Sequence, residues 1–184
     1  MQVHPETDGR SEAAPAKKRR AAPLLGDLIY LFLKIAVAAL FVVLLFTFLF
    51  GVYRCGDISM QPAIKDGDLV FFYRLDQSYT GSDVVVIRDG EKTLALRVIA
   101  VAGDVVDIQE DGLYINGYRQ LESGIYEETN RYTQGISFPL TVAEGEVFLL
   151  GDSRESATDS RIFGTVRTED ILGKVMLLLR RRGI

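Results

Sequence analysis

Hydrophobic and polar positions divide the chain into a polar start, one long apolar run and a body of short apolar stretches. Residues 1–23 are polar, rich in Ala, Pro and charge, and free of apolar periodicity, which predicts a disordered tail. The stretch 35–52 holds no charged residue over 18 positions. As a helix it would span about 27 Å, close to the thickness of the bilayer hydrocarbon. With the apolar residues before it, this run predicts a transmembrane anchor over 24–53.

The apolar run could instead belong to a cleavable signal peptide. It is longer than the apolar region of such peptides, and no small-x-small site precedes the polar residues Tyr53 and Arg54, so we favour an uncleaved anchor. The basic cluster Lys17–Arg20 lies N-terminal to the run, and the positive-inside tendency places it in the cytoplasm. The tail is then cytoplasmic, and the body over 54–184 lies outside the cytoplasmic membrane.

The body has the pattern of short β-strands separated by Gly and Asp turns. Apolar or β-branched stretches occur at 68–74, 83–88, 93–102, 105–108, 113–115 and 146–150. Asp89-Gly90 between two of them is a hairpin signal. The pattern predicts a mainly β body, an open barrel or sandwich, on one N-terminal transmembrane helix. Residues 122–138 predict a surface excursion, and the last apolar run, 170–179, is compatible with a helix or a strand.

Charge and cysteine content narrow the possible partners. The first 54 residues carry 7 basic and 4 acidic side chains, a net +3, whereas the remainder carries 14 and 21, a net −7. An acidic body argues against nucleic acid as a partner. Cys55 is the only cysteine, so no internal disulfide can form. Its position near the membrane exit suits either a packed thiol or a lipidation site.

The candidate chemistry lies just after the anchor, at Ser59-Met60-Gln61-Pro62. A reactive serine needs a base to take its proton and hydrogen-bond donors for the oxyanion. The only histidine, His4, lies in the tail on the other side of the membrane, which excludes a Ser/His arrangement within one chain.

Four blocks of the chain resemble, in order and spacing, the boxes of the type I signal peptidases, membrane-anchored serine proteases of the Ser/Lys kind. The blocks are Ser59–Pro62, Asp83–Val86, Arg97–Asp104 and Gly151–Arg161, and the resemblance covers residues 30–180. It implies the signal-peptidase β body, with residues 109–147 as a variable subdomain. It also implies Ser59 as nucleophile, the Ser59 N–H as an oxyanion donor, and a buried neutral lysine as base. It calls for neither a cofactor nor a metal.

The base is where the sequence departs from the family pattern. Alignment on Arg97 places Leu96 at the lysine position, and leucine cannot take a proton. Lys92 would lie about 13 Å away along the presumed strand, and Lys65 has the setting of a surface charge. The carboxylates Asp57 and Asp159 remain, but an exposed carboxylate is a poor base for an alcohol, because the ordinary pKa of a carboxyl group lies far below the operating pH.

Two further positions depart from the pattern. Ala157 stands where many members place a serine that hydrogen-bonds the lysine amine. Asp57 stands beside the oxyanion site, where members carry Gly or Ser, and a carboxylate aimed there would repel the developing negative charge. Asp57 and Met60 are candidate substrate contacts. For Met60, ordinary core packing and a place in the lipid head-group layer are the alternatives.

The remaining box residues predict scaffold rather than chemistry. The resemblance implies an ion pair between Arg97 and Asp159 that links the third and fourth boxes. Arg161, Asp152 and Gly164 are expected to act as turn and network residues.

Two functions of different classes follow. As a signal peptidase, the protein would remove signal peptides from exported preproteins at the outer face of the cytoplasmic membrane, binding them in extended form by strand addition. As a non-catalytic relative, it would act as a chaperone or assembly factor for secreted or surface proteins such as pilus subunits. Family membership favours the first function, and residues 96, 157 and 57 favour the second. Both give exported polypeptides and membrane lipid as partners.

Overall fold

The protein combines one long helix with two antiparallel sheets. The computed structural model describes residues 24–180, so the predicted tail over 1–23 lies outside the described residues. The helices are α1 (Leu24–Leu49) and α2 (Ser160–Phe163), with a 3-10 turn at Thr168–Asp170. The strands are β1 (Phe50–Arg54), β2 (Leu69–Tyr73), β3 (Val84–Asp89), β4 (Lys92–Val101), β5 (Val105–Gln109), β6 (Gly112–Ile115), β7 (Tyr118–Arg119), β8 (Leu140–Thr141), β9 (Glu146–Leu150), β10 (Val166–Arg167) and β11 (Ile171–Leu179).

Helix α1 is long and apolar enough over Leu25–Leu49 to cross a membrane. Strand β1 follows it directly and pairs with β2 from Phe50↔Tyr73 to Arg54↔Leu69. The helix therefore ends before the predicted boundary at residue 53. The apolar side chains continue past Leu49, but the backbone after that residue forms sheet hydrogen bonds. A Cβ on Gly51 would lie 2.2 Å from the Phe72 ring, so glycine permits this close pairing.

The body confirms the prediction of a mainly β structure on one N-terminal apolar helix. A seven-stranded sheet has the order β1-β2-β11-β3-β4-β9-β10, and a four-stranded sheet has the order β7-β6-β5-β8. The predicted hairpin is present as β3 and β4, with Asp89 paired to Lys92 and Gly90 at φ 58° in the turn. The ambiguous run 170–179 is a strand, β11, which lies between β2 and β3.

The predicted excursion has neither helix nor strand between Arg119 and Leu140. The four-stranded sheet on either side of it runs from Val105 to Thr141 and overlaps the predicted variable subdomain over 109–147. The variability of that region stays a prediction.

Candidate active site

Ser59 lies in a turn whose ends are fixed by backbone hydrogen bonds. The Cys55 N–H donates to the Asp68 carbonyl (2.9 Å), and the Gly67 N–H donates back to the Cys55 carbonyl (2.8 Å). Met60 is fully buried and packs in an apolar cluster with Cys55. This setting matches the core-packing alternative for Met60 rather than a place among lipid head groups. Ser59 itself is only 5% exposed.

The Asp57 carboxylate accepts a hydrogen bond from the backbone N–H of Ser59, which lies beside the Ser59 hydroxyl. Its Oδ1 accepts the Ser59 N–H at 2.8 Å, and its Oδ2 accepts the Tyr53 hydroxyl at 3.4 Å. Burial, and then the negative charge of Asp57, raise the pKa of the Tyr53 hydroxyl, so this group stays protonated and can donate at neutral pH. The Ser59 N–H, which the resemblance implies as an oxyanion donor, therefore already donates to the Asp57 carboxylate.

Leu96 is fully buried among aliphatic side chains. Its cluster consists of Val85, Ile87, Leu94, Val98, Val147, Leu149 and Ile171. A lysine in such surroundings would have a lowered pKa, since burial disfavours the charged form. Leucine keeps the apolar packing of this position and offers no atom that can take a proton.

No lysine of the described body has the setting of a general base. Lys65 and Lys92 are exposed. Lys174 lies 2.7 Å from Asp83, and hydrogen bonding to that carboxylate raises the pKa of the lysine. A base needs a lowered pKa, so this shift has the wrong direction. Cys55, 1% exposed with a thiol pKa raised by burial, fits the packed-thiol alternative.

Ala157 lies next to the Ser59 turn. The Ser153 N–H donates to the Ser59 carbonyl at 2.9 Å, which joins the loop after β9 to that turn. A Cβ on Gly151 would come 2.3 Å from the Ala157 Cβ and 2.5 Å from the Ser59 carbonyl oxygen. The side chain at 157 is thus close to the Ser59 backbone, and it is a methyl group at a position where the resemblance implies a hydroxyl.

We expect Gly151→Ala to destabilise the body by about 1–3 kcal/mol, because the added methyl group must displace backbone atoms of the Ser59 turn. Gly56→Ala is the matched control, since a Cβ there would meet nothing within 4 Å. Urea unfolding followed by circular dichroism measures both changes. Equal stability of the two variants would contradict the close packing of Gly151 on Ser59.

The predicted ion pair between Arg97 and Asp159 is wrong. Arg97 instead forms a bidentate ion pair with Asp152, in which Nε and Nη2 donate to the two carboxylate oxygens at 2.7 and 2.6 Å. Strand pairing explains the choice, because Arg97 lies opposite Leu150 and Asp152 follows two residues later. Asp159 caps α2 and pairs with Arg161 at 2.8 Å, and both side chains are buried.

Sequence reasoning gave no role to Arg154, whose side chain joins the loop after β9 to Glu122 and Thr129. Its guanidinium is fully buried and binds both carboxylate oxygens of Glu122 at 2.5 Å, as well as the Thr129 hydroxyl and the Gly151 carbonyl. We call residues 120–132 the strap. The partner Glu122 lies in a segment without periodicity, so no sequence signal pointed to its pairing with Arg154.

A model of the family described as signal peptidase, peptidase S26, matches residues 28–179. The chain belongs to the signal peptidase family. The resemblance of the four blocks to type I signal peptidases is thereby confirmed. Together with α1, it indicates a membrane-anchored protein.

Relatives in this family match most of the chain. A signal peptidase I of Bacillus licheniformis is 32% identical over 140 residues, 69% of this chain and 74% of the relative. Signal peptidase IB of Staphylococcus aureus is 30% identical over 168 residues, 81% of this chain and 87% of the relative. A crystal structure of a signal peptidase I from Enterococcus faecalis V583 has 29% identity and a TM-score of 0.44, and the match covers 54% of this chain and 97% of that chain.

Proposed function

We propose that this member of the signal peptidase family binds exported polypeptides without hydrolysing them, as a membrane-anchored chaperone or assembly factor for secreted or surface proteins of the pilus type. The observation that carries the proposal is the hydrogen bond from the Ser59 N–H to the Asp57 carboxylate at 2.8 Å. A serine protease stabilises its tetrahedral intermediate with donors aimed at the oxyanion. Here a negative group already holds that donor.

The lack of a base supports the same proposal. Leu96 stands where the resemblance of the third box implies a lysine, and that side chain is enclosed by aliphatic groups. Ala157 likewise lacks the hydroxyl that would orient a lysine amine. Nucleophile activation and oxyanion stabilisation are therefore both impaired around one retained serine.

Binding of an extended polypeptide would require none of these groups. Strand β1 is an edge of the seven-stranded sheet and leads within a few residues to Ser59. An extended segment could add to this edge through main-chain hydrogen bonds, which would bring it to the Ser59 turn. Exported preproteins or surface-protein subunits are the partners that family membership favours.

Signal peptidase activity is the second candidate function. Ser59 is present in the nucleophile box, and the relatives at 30–32% identity are signal peptidases. In that case the protein would remove signal peptides from preproteins at the outer membrane surface, with a base other than the family's lysine.

An assay with the purified full-length chain in detergent distinguishes the two functions. We expect a preprotein to bind, in a fluorescence anisotropy titration, and to stay uncleaved on gels and in mass spectra. Ser156→Ala, an exposed serine of the same loop, is the control for Ser59→Ala. Cleavage that persists in Ser156→Ala and disappears in Ser59→Ala would overturn the non-catalytic proposal.

The proposed orientation places the tail in the cytoplasm and the body outside, with α1 in contact with membrane lipid. The basic residues Lys17–Arg20 before the apolar run support it. A protease added to intact cells should digest an epitope attached after Ile184 and spare one attached before Met1. Digestion of the N-terminal epitope alone would mean that the orientation is inverted.

A further inference from the structure

A cleft of about 580 Å³ lies beside the Ser59 turn. Its lining comes from several parts of the chain, which include Pro62 and Ala63 shortly after Ser59, residues 97–99 of β4, Asp152, and residues 120–126 of the strap. The charges of Arg97 and Asp152, which both line the cleft, neutralise each other, because the two side chains pair at 2.6 Å. The cleft therefore presents no unpaired charge from this pair to a ligand.

Two of the segments that line the cleft lie close in sequence to Ser59 or to a residue that is hydrogen-bonded to it. Pro62 lies three residues after Ser59, and Asp152 directly precedes Ser153, whose N–H binds the Ser59 carbonyl. An extended polypeptide advances about 3.3 Å per residue. A chain held at Ser59 would thus reach the cleft within a few residues.

The strap is a fixed wall. Glu122 binds Arg154 through both carboxylate oxygens, and Arg154 is 1% exposed. The Glu127 carboxylate accepts the Glu155 N–H at 2.9 Å. Removal of one partner from a buried ion pair is costly, so these contacts hold a segment that has no helix or strand of its own.

The surface of the strap has the features that recognise a polypeptide. Leu121 and Tyr126 line the cleft and are 91% and 86% exposed. Exposed apolar side chains grouped at a cleft mark an interaction site, and tyrosine is enriched in interfaces. Within residues 24–180, several strap N–H groups have no protein acceptor: those of Leu121, Glu122, Ser123, Gly124 and Tyr126. Main-chain donors beside apolar side chains suit an extended peptide, whose carbonyls accept and whose side chains pack.

We infer that this cleft binds an extended segment of the exported polypeptide, next to the segment held at Ser59, with Leu121 and Tyr126 in contact with its side chains. The inference rests on the proposed function, because both segments belong to one ligand. It adds a second docking site that uses the strap rather than the edge of β1.

Site-specific photocrosslinking tests the inference in the full-length protein reconstituted in detergent. The photoreactive residue p-benzoylphenylalanine replaces Leu121, Tyr126 or Ile58, which is 49% exposed beside Ser59. Tyr118, 76% exposed on β7 and outside the cleft lining, is the control. With a labelled preprotein, positions 58, 121 and 126 should crosslink and position 118 should not. The preprotein residues captured from 121 and 126 should lie within about ten residues of those captured from 58.

The outcomes separate this inference from the proposed function. Capture from Ile58 without capture from Leu121 or Tyr126 would overturn the inference and leave preprotein binding at Ser59 intact. Capture of a second copy of this chain from the strap would show a self-association surface and overturn it as well. If no position captured the preprotein, the result would contradict both the inference and the proposed function.

Charge substitutions give an independent measurement. Leu121→Asp and Tyr126→Asp should each weaken preprotein binding about tenfold in an anisotropy titration, as expected for central apolar contacts. Tyr118→Asp should bind like the unchanged protein. Because all three side chains are exposed, the melting temperatures of the variants should stay equal. Unchanged affinity in both cleft variants would overturn the inference.

Discussion

Alanine in place of Asp159 is expected to lower the free energy of unfolding of the body by about 3–5 kcal/mol, the cost of leaving one partner of a buried ion pair alone. The Asp159 carboxylate accepts two side-chain hydrogen bonds from Arg161, at 2.9 and 2.8 Å, and the Gly151 N–H at 3.1 Å. Its removal leaves a buried guanidinium without its counter-charge. Urea unfolding of the full-length chain in detergent, followed by circular dichroism, measures the loss.

Asp170→Ala is the matched control. Asp170 pairs with Arg167 at 2.9 Å, but the two side chains are 47% and 60% exposed. Exposed ion pairs contribute little to stability, so this change should lower the free energy of unfolding by less than about 1 kcal/mol. Asp159→Asn, which keeps one acceptor oxygen, should fall between the two. If the free energy of unfolding of Asp159→Ala fell no further than that of the control, this would contradict a buried ion pair between Asp159 and Arg161.

The Asp159 variant should also loosen the strap. Arg161 donates to the Asn130 carbonyl at 3.1 Å and to the Arg154 carbonyl at 2.6 Å, and Arg154 in turn binds Glu122. The network thus joins the fourth box to a segment without regular structure. Hydrogen exchange of residues 120–132 should rise in Asp159→Ala before that of β4, since the strap depends on these polar contacts.

The parts of the fold that local chemistry sets could be predicted from the sequence. The hairpin of β3 and β4 needs only alternating apolar stretches and a turn that accepts φ 58° at Gly90. The type and place of β11 could not be predicted, because its partners β2 and β3 are distant in sequence. The end of α1 could not be predicted either, because hydropathy does not distinguish the apolar residues of a helix from those of the strand that follows it.

In the candidate site, too, some features follow from sequence order and others depend on tertiary contacts. The assignments of Ser59, Leu96 and Ala157 to positions of the family pattern depend on sequence order alone, and they stay predictions. The choice of Asp152 rather than Asp159 as partner of Arg97 depends on strand register. The engagement of the Ser59 N–H by Asp57 depends on one side-chain orientation, and no pattern of residue types specifies that. Sequence patterns can therefore suggest which residue type stands at a position of the site, but not which hydrogen bonds it makes.

Stepwise replacement at three positions is expected to install Ser59-dependent cleavage of a preprotein, with the largest step at Asp57. Leu96→Lys puts an amine into apolar surroundings that lower its pKa, so that part of it is neutral near pH 7. Ala157→Ser adds a hydroxyl beside the Ser59 turn. The double variant should nevertheless stay nearly inactive, because the Ser59 N–H still donates to Asp57. Asp57→Gly frees that donor, and one oxyanion donor contributes about 10²–10³-fold in rate.

Mass spectrometry in detergent gives the cleavage rates of the unchanged protein and its variants, and these rates decide whether Asp57 blocks the site. The triple variant should cleave at least about 10²-fold faster than the double variant, and Ser59→Ala in the triple background should abolish the reaction. Leu96→Met, which changes the buried side chain without adding a base, should stay inactive, and circular dichroism should show that the variants keep their strands. A double variant as fast as the triple would mean that the Asp57 carboxylate moves away from Ser59 when substrate binds. Ser59-dependent cleavage by the unchanged protein would mean that a group other than a lysine at position 96 acts as base, and the chaperone proposal would then fail.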